Sequence, residues 1–339
     1  ETGRAVHRRP RRETLMSLLL PTTTVGSFPK PDYLIKARAQ VSRHEMDAGE
    51  LRKLEEKATR EWIATQERLG IDILVDGEQY RGDMATYFAE HLDGCEISGL
   101  VRSYGNRYYR KPVVKGKLRR EQPITLDWYR FSQKLTKLPV KGMLTGPYTM
   151  MDWSFNEYYP NRRACALAFA EVIRQEAEDL ERAGARYIQI DEPAVSVRPE
   201  EMDLAIEAMG IVTKRLHAKT ITHICYGAFE KIYPKMLKIP VDQFDLELAN
   251  SNYDLLTLFR KHRFTKEIAL GVIDVHTHKV ETEEQVLDGI RRALKVMKPE
   301  QITVDPDCGL KTRTVEEAEA KLRVISQAVR EVKAELGIG

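Results

Sequence analysis

The sequence predicts a (β/α)8 TIM barrel of the α/β class, and three observations carry that expectation. Eight short runs rich in β-branched residues are separated by longer stretches with the 3.6-residue apolar period of amphipathic helices. The alternation continues to the end of the chain, and parallel strands need crossover helices of this kind. The 339 residues are 42% hydrophobic and 31% charged, with no apolar run near the ~20 residues of a membrane span. That composition supports a sizeable core and excludes disordered, collagenous and membrane-spanning classes.

In chain order the strand candidates are 22–25 (TTTV), 72–75 (DILV), 140–144 (VKGML), 187–190 (YIQI), 220–224 (TITHI), 243–247 (QFDLE), 268–273 (IALGVI) and 301–304 (QITV). Between them lie helical stretches at 48–69, 162–183, 201–217, 282–297 and 315–336, most opened or closed by Gly, Pro, Asp or Thr. Two places exceed the minimal unit. A helical pair over 31–69 is inserted after strand 1, and 95–117 (CEISGLVRSYGNRYYRKPVVKGK) reads as a β-hairpin-like excursion after strand 2. Neither has core enough to be a domain, so 16–339 is expected to form one barrel domain.

The first fifteen residues are expected to be a disordered basic tail. Arg4, Arg8, Arg9, Arg11 and Arg12 against Glu1 and Glu13 account for the whole net charge of +3, which leaves the body neutral. A neutral body lacks the basic footprint of a nucleic-acid partner. Cys95, Cys165, Cys225 and Cys308 are too few and too scattered for a disulfide scaffold, and no secretory apolar segment opens the chain. The reading is cytoplasmic, with no membrane and no nucleic-acid partner.

In such a barrel the reactive groups gather at the C-terminal ends of the strands. Glu78 follows strand 2, Asp191 and Glu192 strand 4, His223 and Cys225 strand 5, Glu247 strand 6, Asp274, His276 and His278 strand 7, and Cys308 strand 8. His223 and Cys225 are two apart and share one side of an extended segment. Alone, that pair also suits a core histidine beside a buried apolar cysteine. With Glu247 and Cys308 on the same rim it becomes two thiolates, an imidazole and a carboxylate, a set that suits Zn²⁺ and argues against Mg²⁺ or Ca²⁺. The carboxylate is the weakest of the four, and a substrate thiol is a fitting replacement for it. His276 reads as a general acid or a rival ligand, and His278 as a solvated loop residue.

The segments TTTVGSFPK, GEQYRGDM, SYGNRYYRKP, LTGPYTMMDWSF, YIQIDEPA, THICYG, DLELANSN, GVIDVHT and DPDCGLKTR follow one another over residues 20–335. In these motifs the chain resembles the cobalamin-independent methionine synthase family, specifically its catalytic C-terminal barrel. The resemblance implies zinc ligation by His223, Cys225, Glu247 and Cys308. It implies homocysteine binding by the Val25, Gly26 and Ser27 turn with Glu78 and Asp191, and proton donation by His276. Two carboxylates suit an α-ammonium, and backbone N–H groups of a glycine turn suit an α-carboxylate.

On the methyl-donor side the resemblance implies Arg107, Tyr108 and Trp153, with two departures. Tyr108 stands where the family has Cys, and Val197 stands where it has a folate-binding acid; the chain is expected to hold the catalytic barrel without the family's N-terminal one. The expected function is therefore zinc-dependent methyl transfer to the thiol of homocysteine, with methylcobalamin or a methylated corrinoid protein as donor. Methyltetrahydrofolate is the alternative donor. Transfer to another thiol such as coenzyme M is a near rival, opposed by Glu78 and Asp191, which would repel a sulfonate. A non-catalytic zinc- or corrinoid-binding protein is the reading from another class.

Overall fold

The computed structural model describes residues 19–102, 108–225 and 229–338, so the basic tail and Arg107 lie outside the described residues. The chain enters the barrel at 22–25, makes helices α1 (Asp32–Ser42) and α2 (Ala48–Leu69), and returns at 72–75. Then come α3 (Met84–Ala89), the hairpin β1 (Asp93–Arg102) and β2 (Tyr108–Arg119), α4 (Leu126–Lys134) and β3 (Gly142–Thr145). Next are α5 (Pro147–Asp152), β4 (Phe155–Asn156), α6 (Arg162–Arg182), β5 (Tyr187–Asp191) and α7 (Met202–Thr213). The chain closes with β6 (Lys219–Ile224), α8 (Phe229–Ile232), β7 (Gln243–Leu246), α9 (Leu255–Lys261), β8 (Glu267–Gly271), α10 (Glu283–Leu294), β9 (Ile302–Asp305) and α11 (Val315–Glu335).

β3, β5, β6, β7, β8 and β9 form a parallel sheet in that order. The segments 22–25 and 72–75 close it into a ring, though by single bridges, Thr22 to Val304 and Leu74 to Val140, instead of full ladders. Around the ring the Thr23 N–H donates to Val304 O at 2.9 Å, Ile73 N–H to Thr22 O at 3.0 Å and Lys141 N–H to Leu74 O at 2.8 Å. Side chains supply what the ladder lacks. Thr22 N–H donates to Asp72 Oδ2 and Thr23 Oγ1 to Ile73 O. The Gln66 amide, reaching in from α2, accepts from Val75 N–H at 3.0 Å and donates to Val75 O at 2.8 Å. A backbone paired with side chains in this way is extended but is no regular strand, so of the eight expected strands 22–25 and 72–75 join the ring only through isolated bridges.

The helices start where the sequence marks them. Asp47 accepts from Gly49 and Glu50 N–H at the head of α2, and Thr282 and Thr314 form capping boxes with Gln285 and Glu317 at α10 and α11. The expected helix 201–217 ends early, at Thr213. The N–H groups of His217 and Ala218 turn instead to Glu181 Oε1 on α6, at 2.6 and 2.5 Å. β1 and β2 pair antiparallel, as expected of the excursion, and β4 adds to β2 in parallel. One contiguous apolar cluster runs from Leu20 to Val332 among the described residues.

Gln66 is fully buried, so Gln66→Ala strands both polar groups of Val75 in the core. The expected loss of stability is about 2–5 kcal/mol, the desolvation cost of two buried groups, read as a lower urea midpoint at unchanged slope.

Candidate metal centre and substrate cleft

The rim gathers the residues that the eight-strand pattern assigns to it. His223 is the fifth residue of β6 and Cys225 follows that strand; Glu247 is the first residue past β7, and Cys308 lies three beyond β9. Their ligating atoms all fall within 4.8 Å of one another. His223, Cys225 and Glu247 are buried and Cys308 half-buried. Parallel pairing sets His223 opposite Asp245, and His223 Nδ1 lies 2.9 Å from Asp245 Oδ1. In the neutral ring, with Nδ1–H donated there, Nε2 offers the lone pair that a metal would take; Nε2 is buried and has no hydrogen-bond partner among the described residues. A buried, orphaned imidazole nitrogen facing two sulfurs and a carboxylate fits a metal ion, and the carboxylate behind the ring is the support such ligands use.

Charge is organised around this cluster. The Cys225 thiol is pushed well up by its hydrogen bond to Cys308 and by burial, while Cys308 is held well below the usual thiol range, chiefly by that same bond. The two sulfurs are thus biased toward one thiol and one thiolate, the form from which a soft cation would displace the remaining proton. Burial opposes charge on His223, but Asp245 and Cys308 outweigh it and raise its pKa. Inside the barrel burial also pushes the Asp305 carboxyl far up, with the neighbouring Asp245 charge adding to it. Asp307 does structural work beside Cys308: it accepts from the N–H groups of Leu248 and Ala249 at 2.9 Å each and of Asn250 at 2.7 Å. It thereby ties the loop of Glu247 to the loop of Cys308.

Next to the cluster stands a second group. Glu78 has φ +54, a left-handed conformation that non-glycine residues rarely adopt, held by its N–H on Asp76 Oδ1 at 2.9 Å. Arg81, buried, donates to Glu78 Oε1 at 3.2 Å and to Met143 O at 2.7 Å. The Gly26 turn lies against that carboxylate: a β-carbon at 26 would stand 3.0 Å from Glu78 Oε1. A β-carbon at Gly309 would overlap the Ser27 hydroxyl, so the turn also abuts the Cys308 loop. Gln189, fully buried, joins the pieces by donating to Val25 O and to Asp191 Oδ1, both at 2.8 Å, and accepting from Lys141 Nζ at 2.5 Å. Burial pushes the Asp191 carboxyl up to about 7, against the opposing pull of His223 and Gln189.

Of the remaining candidates, His276 places Nε2 at 3.4 Å from Glu247 Oε1, and His278 sits exposed with Nδ1 at 2.9 Å from Glu317. Glu192 accepts from Tyr148 N–H, Thr149 N–H and Thr149 Oγ1, so it caps the start of α5, the helix that Trp153 follows. Trp153 is half-buried, and Val197 is exposed on a 3-10 turn. Arg107 lies outside the described residues, as does the side chain of Tyr108. Sequence reasoning missed Asp245, Gln189 and Asp307. Asp245 and Gln189 each precede a selected acid by two, and that strand alternation was the available signal. Nothing local marks Asp307.

Residues 20–331 match the family model described as cobalamin-independent synthase, catalytic domain. The chain belongs to that family. It is 38% identical over 319 residues to a methionine synthase of Saccharolobus solfataricus, covering 94% of this chain and 96% of the relative. It is 39% identical over 341 residues to the 5-methyltetrahydropteroyltriglutamate--homocysteine methyltransferase of Chelativorans sp., of whose length the match covers 44%. Among solved structures, a B12-independent methionine synthase from Shewanella sp. W3-18-1 in complex with selenomethionine superposes with a TM-score of 0.84 at 32% identity, covering 94% of this chain and 99% of that one.

Thiolate ligation dominates the affinity of a site of this composition. Substituting Cys225 and Cys308 together by Ser is expected to abolish stoichiometric zinc, whereas Cys95→Ser with Cys165→Ser leaves it intact, by metal analysis after dialysis.

Proposed function

We propose that this protein transfers a methyl group from a methylated tetrahydropteroyl donor to the thiol of homocysteine, giving methionine, with zinc held by His223, Cys225, Glu247 and Cys308. The observation that carries the reading is a four-ligand cluster standing beside the paired carboxylates Glu78 and Asp191, in a chain collinear with the Saccharolobus methionine synthase. A zinc ion in that cluster supplies a Lewis acid that keeps a sulfur ligand deprotonated at neutral pH.

The chain's own residues do the rest. Glu78 and Asp191 take the ammonium of the amino acid, and the N–H groups of the Val25, Gly26 and Ser27 turn take its carboxylate. The sulfur forms a bond to the methyl carbon as the bond from methyl to N5 of the donor breaks. The electron pair goes to that nitrogen, which takes a proton from His276. Trp153 offers an aromatic face to the pterin. Holding both substrates in line provides much of the rate.

The corrinoid donor expected from Tyr108 and Val197 is set aside. The family is cobalamin-independent, and the Chelativorans relative is named for the methyltetrahydropteroyl donor. The position of His276 agrees: a departing amine needs a proton at the rim, whereas cobalt(I) leaves without one. The deciding experiment incubates zinc-loaded protein with homocysteine and either 5-methyltetrahydropteroyl glutamate or methylcobalamin and measures methionine. Turnover with the first supports the reading, and none with it overturns the donor.

Asp191→Asn and Glu78→Gln are expected to raise the KM for homocysteine by about tenfold or more while zinc stays bound, since one charge-assisted contact to the ammonium is lost. A simple thiol without an amine is expected to be indifferent to either change. The same site sets a pH dependence. The carboxylate of Asp191 holds the ammonium and the carboxyl does not, and burial puts its titration at about 7. Binding of methionine, which has no thiol proton, should therefore strengthen as pH rises from about 6 to about 8 and flatten in Asp191→Asn, read by calorimetry.

A further inference from the structure

Lys321 lies on α11 with its side chain fully buried, so its ammonium protons must find acceptors inside the protein. They find three. Nζ donates to Asp274 O at 2.9 Å, to Lys279 O at 2.6 Å and to Glu281 Oε2 at 2.9 Å. Glu281 Oε1 accepts in turn from Asp274 N–H at 3.0 Å, and Asp274 Oδ1 from His276 N–H at 2.8 Å. All four of these partners lie in the irregular connection between β8 and α10, which carries His276 between the tethered residues Asp274 and Lys279.

We infer that Lys321 is a positioning residue for the methyl transfer, pinning the loop on both sides of His276 so that the imidazole stands at the edge of the Glu247 carboxylate. The inference rests on His276 as the proton donor of the proposed function. Stability alone does not account for the arrangement, because a buried ion pair is often no more stable than a well-packed apolar replacement. What an apolar side chain cannot do is gather two loop carbonyls and a carboxylate on one point. Without that point the segment 274–281 keeps its own turns, the buried Val275 and the exposed contact of His278 with Glu317, but loses the buried anchor on either side of His276, and the proton donor loses its fixed distance from the sulfur site. Displacements of about 1 Å are enough to cost about a hundredfold in rate.

The test uses the zinc-loaded protein with two variants. Lys321→Met with Glu281→Gln removes both buried charges together, and Asp274→Ala cuts the last link to His276 on a half-exposed loop. Each is expected to lower kcat between about ten- and a hundredfold, with zinc content unchanged and the KM for homocysteine within about twofold. In protein carrying ¹⁵N-histidine, the His276 ring signal, identified by its loss from His276→Ala, should shift or broaden in both variants without any substrate present. Added to His276→Ala, neither variant should lower kcat further, since both act through that ring. Wild-type kcat and an unmoved ring signal in both variants overturn the inference. So does a loss of kcat that follows zinc loss or that repeats in full on the His276→Ala background. Wild-type turnover by His276→Ala itself overturns the proton-donor reading, and the role of Lys321 falls with it.

Discussion

A polar or charged group taken out of water must find partners or it destabilises the fold, and that constraint organises this barrel from its wall to its rim. The wall is completed by a glutamine: Gln66 pairs with the backbone of Val75 where the neighbouring segments form no ladder with it. Glu176, fully buried, accepts from the N–H groups of Ile124, Thr125 and Leu126 and so starts α4. Glu192 does the same for α5, and Asp307 for the loop after β7. In the last three cases a buried carboxylate is satisfied by backbone N–H groups, and the position of a helix start or a loop follows.

The rim inherits its geometry from these anchors. Glu192 fixes the helix that ends before Trp153, Gln189 links the Val25 turn to Asp191, and Asp307 sets Glu247 relative to Cys308. The cluster of His223, Cys225, Glu247 and Cys308 is thus assembled from three strand ends whose spacing is held by hydrogen bonds outside the cluster itself. Such support matters for a soft metal site, where ring orientation and ligand distance set affinity. The two carboxylates nearby are held in place by the same kind of contact, Glu78 by Arg81 and Asp191 by Gln189.

Donor chemistry shows where residue substitutions mislead. Tyr108 and Val197 depart from the family pattern and suggested a corrinoid, because each removes a polar contact expected for folate. In the proposed reaction the departing nitrogen needs a proton, and His276 Nε2 stands 3.4 Å from Glu247 Oε1 at the rim.

The sequence by itself determined what is written in local repeats. Apolar period and β-branched runs gave the order of strands and helices, and Asp47, Thr282 and Thr314 marked helix starts because a capping side chain acts over three residues. The two-residue spacing of His223 and Cys225 placed them on one side of a strand for the same reason. The tertiary structure alone decided how residues 22–25 and 72–75 join the ring, which groups stand behind the ligands, and what holds the His276 loop. Gln189 meets Val25 across 164 residues, Asp307 meets Leu248 across 59 and Lys321 meets Glu281 across 40. No short-range pattern records such contacts, because they depend on the path of the whole chain and on the free-energy cost of leaving a buried group unpaired.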